Sequence, residues 1–192
     1  MTTTWQTERR GRILVAAREA LEEQEYESVQ MRDVAQRAGV ALGTLYRCFT
    51  SKEHLYAAVL SDWAAGAAAV AGADHGTPEA RMRARIHGVI AAYGRLPQFY
   101  RAHVTLQSSA DPNARALLTE FGRTARASLA AEVAVLGAAS AEDAATMLWA
   151  LITSRLSHAI YRGGSLDEIH RIADEFVDLL VPRLRDEQVD AR

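Results

Sequence analysis

Residues 29–55 read VQMRDVAQRAGVALGTLYRCFTSKEHL. Two short apolar stripes stand on either side of a single glycine. Met31, Val34, Ala35 and Ala38 recur at helical spacing, which predicts a helix over 31–38. Gly39 follows directly, where a residue of positive φ ends a helix and begins a tight turn. Val40 packs back, and a short helix over 42–49 is expected to bury Leu45 and Phe49. Gln30 and Asp33 have capping-box spacing, although glutamine is a weak N-cap. Ser51 reads as the N-cap of a further helix from Lys52, with Leu55, Val59, Leu60 and Trp63 inward. A helix, a glycine turn and a short second helix make a helix-turn-helix.

Such a second helix enters the DNA major groove only if its outer face is small or hydrogen-bonding. Ala41, Gly43, Thr44 and Arg47 meet that demand. Arginine reads guanine N7 and O6, and threonine touches a thymine methyl. Tyr46 and Lys52 suit phosphates, which set register without reading sequence. Charge supports the same face. The chain has a net charge of −2, yet 28–52 holds Arg32, Arg37, Arg47 and Lys52 against Asp33 alone. Arg9, Arg10 and Arg12 cluster earlier, beside Glu8. The bland alternative for such a cluster is a solvated helix face.

This stretch resembles the TetR family of repressors. The matching residues are Arg32, Val34, Ala35, Ala38, Gly39, Val40, Gly43, Thr44, Leu45, Tyr46, Phe49, Lys52 and Leu55, within a segment of about a seventh of the chain. The resemblance implies a homodimer whose third helix reads bases while neighbouring elements clamp phosphates. Carried over by position, Gly43, Thr44 and Arg47 become base-side residues. Arg32, Tyr46, Lys52, Gln30 and Ser51 become phosphate or groove-edge residues. Three positions depart from the family: Gln30 replaces a frequent Ser or Thr, Ala41 a frequent Ser, and Cys48 a common Tyr or His. Fewer backbone contacts are the expected consequence.

Working outward, a helix over 7–22 is expected, with Ile13, Leu14, Ala17, Ala20 and Leu21 on one face, then Tyr26 and Val29 as anchors. After 52–71 an Ala/Gly-rich stretch over 66–76 marks the boundary between a head, 1–55, and a body, 72–192, with the helix over 52–71 as connector. Thr77-Pro78 opens a helix to about 95, because proline suits the first helical position. Pro97 breaks that pattern. Asp111-Pro112 opens another helix to about 136. Ser140 with Asp143 is expected to open a helix over 141–161, and Gly163-Gly164 to end it. Ser165 with Glu168 then caps a helix over 166–183. With few β-branched clusters and four prolines, the chain is expected to be all-α, about nine helices, a three-helix head on a helical ligand-binding and dimerisation body.

One cysteine allows no internal disulfide, and no signal peptide or membrane-length apolar run is recognisable, so a cytoplasmic protein is expected. No GxGxxG, Walker loop, HExxH, GxSxG or zinc-spaced Cys/His set occurs, so no enzyme, metal or cofactor is expected. The family resemblance implies that the body senses a small molecule. Trp63, Tyr93, Tyr100, His103, Gln107, Phe121 and Trp149 combine bulk with polar tips and are candidate pocket residues, each with plain core as its alternative. Leu148, Ile152, Leu156, Phe176 and Leu180 are candidates for a dimer interface, while His158 and His170 read as satisfied surface or interface histidines. The reading segment, and more loosely LPQFYRAHVTLQSSADPNAR, is similar to the KstR-like, sterol-catabolism branch of the family. That implies an acyl-CoA or steroid-like effector that moves the connector and changes the spacing of the two heads. The alternative is a DNA-binding regulator without a small-molecule effector, controlled by a partner or by oxidation of Cys48.

Overall fold

The computed structural model describes residues 4–71 and 76–190, and among them there are nine α-helices and no strand. They are α1 (Thr4–Glu23), α2 (Met31–Arg37), α3 (Leu42–Cys48), α4 (Lys52–Ala71), α5 (Pro78–Arg95), α6 (Pro97–Gln107), α7 (Pro112–Glu132), α8 (Ala138–Arg162) and α9 (Leu166–Asp190). Short 3₁₀ turns occupy Tyr26–Ser28 and Ala134–Leu136. The expected all-α architecture is the one observed. No helix among the described residues is long and apolar enough to cross a membrane. The boundary expected over 66–76 falls partly on 72–75, outside the described residues.

The chain divides into two compact units. One comprises Met1–Ala64 with Leu96–Glu120, the other Ala65–Arg95 with Phe121–Arg192. In the first, Ile13, Ala16, Ala17, Ala20 and Leu21 form the buried stripe of α1, and Val34, Leu45, Phe49 and Leu55 are buried with them. Each fully buried Leu, Ile or Phe contributes roughly 1.5–3 kcal/mol against its exposed state. Tyr56 donates its hydroxyl to the Ala17 carbonyl at 3.2 Å, and its ring meets Tyr26 edge-on at 5.4 Å. A buried tyrosine thus satisfies its polar end.

Helix α6 belongs to this unit and occupies most of the segment over 98–110 that the sequence reading leaves without an assigned element. Pro97 does break α5, but it also stands at the first position of a new helix, where its missing N–H costs nothing. Gln98 donates to the Glu22 carbonyl at 3.0 Å, Arg101 pairs with Glu25, and Phe99 packs on Trp63 at 5.1 Å between ring centres.

In the second unit α5 lies against α8 and α9. Met82, Ile86, Ile90 and Tyr93 face Leu148, Ile152, Leu156, Ile169, Ala173, Val177 and Leu180 in the core. Gly94 makes the approach possible, since a Cβ there would stand 2.5 Å from a Leu166 methyl. Glu132 is buried and bridges two arginines of α5, Arg81 at 2.6 Å and Arg85 at 2.8 Å. Burial pushes its carboxyl upward, but the two guanidinium groups prevail and hold it below the usual carboxylate range.

Several helix ends differ from expectation. Helix α7 stops at Glu132, and the 3₁₀ turn carries the chain to Gly137, whose φ of 81° and extended ψ make it the N-cap of α8. Ser140 therefore lies inside the first turn of α8 instead of capping it. Pro182 sits inside α9, which continues to Asp190. A proline removes one helical hydrogen bond, a cost that an otherwise favourable helix absorbs as a kink. Ser165 does cap α9, accepting from the backbone N–H of Asp167 at 3.1 Å and of Glu168 at 3.4 Å. The Glu168 carboxylate pairs with Arg155 at 2.7 Å. His170 packs edge-on against His87 at 4.5 Å, but its Nδ1 is buried without a hydrogen-bond partner among the described residues, contrary to the expected satisfied histidine.

Candidate nucleic-acid interface

The turn between α2 and α3 is built as its residues dictate. Gly39 adopts φ 64°, in the left-handed region, and the Val40 N–H reaches the Ala35 carbonyl at 3.0 Å. This pair of features stops α2 and redirects the chain within two residues. Ala41 then precedes α3 in an extended conformation, with the N–H groups of Thr44 and Leu45 bonding its carbonyl at 2.8 and 3.1 Å. Gln30 likewise precedes α2, and its side chain makes no cap bond; it reaches only the Ser28 carbonyl at 3.5 Å.

Leu45 and Phe49 are fully buried, which fixes how α3 is rotated about its axis. Ala41, Gly43, Tyr46 and Arg47 are consequently exposed and Thr44 is half-exposed. Arg47 donates to the Thr44 hydroxyl at 2.7 Å, so two base-side candidates already form one hydrogen-bonded unit. A Cβ on Gly43 would meet only the Arg47 guanidinium, at 4.0 Å, and the glycine needs no unusual φ. Nothing among the described residues demands glycine there. Arg32 projects from α2, exposed, with no ion pair among the described residues.

The remaining groove-edge candidates are more engaged than expected. Ser51 caps α4 by accepting from the His54 N–H at 2.9 Å, and its hydroxyl also bonds Asp111. Lys52 donates to the Glu27 carbonyl at 3.2 Å and lies 4.4 Å above the Tyr26 ring. Burial pulls the Lys52 ammonium below its ordinary value, partly offset by Glu27 and Glu53. Arg37, counted in the basic footprint, is spent on a two-pronged pair with Glu23 at 2.7 Å for each bond.

The start of α1 was visible only as a charge cluster, yet it borders α3. Gln6, Thr7, Arg9 and Arg10 line a cleft of about 430 Å³ together with Thr44, Arg47 and Cys48. Arg10 lies over the Phe49 ring at 4.2 Å and donates to the Cys48 carbonyl at 3.4 Å. Cys48 itself is half-exposed.

The sequence model described as bacterial regulatory proteins, tetR family, matches residues 13–59, which span α1 to the first turns of α4. Over those residues the chain is similar to the TetR family. The HTH-type transcriptional repressor KstR of Mycolicibacterium smegmatis is 39% identical over 124 residues, 62% of this chain and 59% of that protein. The chain thus spans less than two thirds of that curated relative. A TetR transcriptional regulator from Rhodococcus sp. RHA1 superposes with a TM-score of 0.75 at 26% identity, covering 90% of this chain and 94% of that one. The regulator FadR of Bacillus subtilis, solved in complex with stearoyl-CoA, has the same fold, with a TM-score of 0.65 at 18% identity over 88% of this chain and 96% of its own. All three are described as transcriptional regulators, and none as an enzyme.

The candidate pocket residues are divided between the two compact units. Tyr100 and His103 are buried in the first unit, their rings 6.3 Å apart, and exposed Gln107 touches the His103 ring at 3.3 Å. Trp63 contacts Phe99 in that unit. Tyr93 is buried in the second unit, where Phe121 and Trp149 meet edge-on at 6.1 Å. Of the dimer candidates, Leu148, Ile152, Leu156 and Leu180 are sunk in the core of their own unit, and Phe176 is half-buried. The apolar stripe that looked too wide for one helix is used up against α5 and between α8 and α9. Among the described residues, the large apolar side chains that α8 and α9 leave outward are Met147, Tyr161 and Leu179.

Proposed function

We propose that this chain is a transcriptional repressor of the TetR type that binds a palindromic DNA operator as a homodimer and is released by a small apolar effector. The observation that carries the DNA-binding part is the outer face of α3. Gly43, Thr44, Tyr46 and Arg47 stay open while Leu45 and Phe49 lock the helix against the core. Gly43 and Thr44, in the first turn, face base edges, and Arg47 reads guanine once it leaves Thr44. Arg32 and Tyr46 contact phosphates at the groove edge, while Gln30, Ser51 and Lys52 hold the backbone that presents them.

Two heads are needed to read two half-sites about one helical turn apart. Met147, Tyr161 and Leu179 support a partner copy on the outer faces of α8 and α9, in place of the buried leucines. The effector we propose is a long-chain acyl-CoA or a steroid-like molecule. Similarity to the KstR repressor and the shared fold of the stearoyl-CoA-bound FadR support that choice. A differential affinity worth about 1–3 kcal/mol is enough for 5- to 150-fold release.

The test is to select duplexes from a random library with the full chain, then titrate the winner by fluorescence anisotropy. The expected result is a palindromic consensus bound by two chains, with affinity falling on addition of palmitoyl-CoA or a steroid acid. A non-palindromic site bound by one chain would overturn the dimer reading. Full operator affinity under saturation with every such compound would overturn the effector reading.

A further inference from the structure

We propose that the cleft between the start of α1 and α3 seats a backbone phosphate of the bound DNA, with Arg9 as its principal ligand and Trp5 as the residue that positions Arg9. This rests on the DNA-binding reading above and extends it to residues outside the helix-turn-helix.

The cleft of about 430 Å³ is lined by three guanidinium-bearing side chains, Arg9, Arg10 and Arg47, and by no carboxylate. Like charges gathered in one concavity repel, and an anion is the natural counterpart. The roles of the three differ. Arg10 is engaged structurally with the Cys48 carbonyl and the Phe49 ring. Arg47 is bonded to Thr44. Arg9 has no ion pair among the described residues, and its guanidinium lies 3.2 Å above the ring of Trp5. Trp5 is 61% exposed, an unusual place for the largest apolar side chain. A cation–π contact accounts for it by holding an otherwise mobile arginine in one orientation.

The nature of the anion follows from what shares the walls. Thr44 and Arg47 line the cleft and also form the outer face of α3. A duplex brought to that face therefore presents its own phosphates at the mouth of the cleft. A protein carboxylate or a free anion would compete with it for the same surface. A phosphate there fixes register and adds to affinity without reading sequence.

The test uses the full chain and the duplex it selects from a random library, beside a scrambled duplex of equal composition. Affinity is measured from about 50 to 300 mM salt. R9Q is expected to lower the slope of log K against log salt by about 0.9 for each half-site. It should weaken both duplexes equally, so their affinity ratio is kept. W5A should weaken both by about two- to fivefold. Both positions lie on the surface of α1, and a melting curve confirms that the variants fold. An unchanged slope for R9Q, with wild type binding normally, overturns this inference alone. Loss of preference at one base pair overturns it too, because Arg9 would then read a base. A wild-type chain that selects no sequence overturns the DNA-binding reading as well.

Discussion

Arginine does different work among α5, α8 and α9 than it does around α3. In the unit built from α5, α8 and α9, guanidinium groups are paired with carboxylates: Arg81 and Arg85 on Glu132, Arg83 on Asp174 and Asp178, Arg155 on Glu168. Around α3, Arg9, Arg32 and Arg47 have no carboxylate partner among the described residues. Paired charges of the first kind hold helices in register and stop mattering to the surroundings. Unpaired ones remain available to an anion that comes from outside the chain. Composition alone does not separate the two, since both kinds sit in a chain with a net charge of −2.

The comparison breaks most visibly at Glu132. Removing a buried partner of two arginines leaves uncompensated charge, which costs about 3–5 kcal/mol when burial is complete. Arg81 and Arg85 both reach solvent, so Glu132→Ala is expected to cost roughly 3 kcal/mol in urea unfolding. DNA affinity of the folded fraction should not change. A loss of operator binding larger than the loss of fold would show that the body charges also serve the interface.

His103 tests the buried, closed side of the molecule through pH. Burial pulls its imidazolium down to about 4 from the ordinary 6.5, so the native chain keeps it neutral. The unfolded chain binds the proton first as pH falls. Stability is therefore fully present above about 6.5 and declines toward about 4, by on the order of 2–3 kcal/mol. His54 and His170 are shifted in the same direction, chiefly by burial, and add to the same window. In His103→Leu the decline in melting temperature over that window should shrink. An identical decline would assign the effect to the other histidines.

On the open side the effects on stability should be small and those on DNA large. Arg32→Ala should change stability by less than about 0.5 kcal/mol. It should weaken DNA binding roughly tenfold, or about 1.4 kcal/mol. Gly43→Ala sharpens the contrast further. Alanine is the better helix former, and nothing in the chain fills the space, so stability should rise by up to about 1 kcal/mol. The added methyl should still impair binding, because the glycine serves the approach of DNA.

The two regions also differed in how far sequence reached. Around α3, Leu45, Phe49, Gly39 and the small outer residues each carry a local constraint, so helix, turn and exposed face were readable together. Helix α6 was hidden because Pro97 both ends one helix and begins the next, and only tertiary contacts such as Gln98 to the Glu22 carbonyl make the second choice visible. Which residues α8 and α9 turn outward was not legible, because hydrophobicity does not say which neighbour covers a leucine. Leu148 and Ile152 are covered by their own unit, and Met147 is not. The groove formed with the start of α1 escaped because Arg9 and Thr44 are far apart in sequence and meet only in the fold.

The most direct test of the central claim, that the outer face of α3 reads DNA, is a base-by-base affinity profile of the selected duplex with wild type and with Thr44→Val. The substitution keeps the shape of the side chain and removes only the hydroxyl that reaches outward and holds Arg47. Altered preference at the same one or two positions of each half-site, with the rest of the profile unchanged, is the result expected. An unchanged profile, or uniform weakening across every position, would contradict the assignment of α3 as the reading helix.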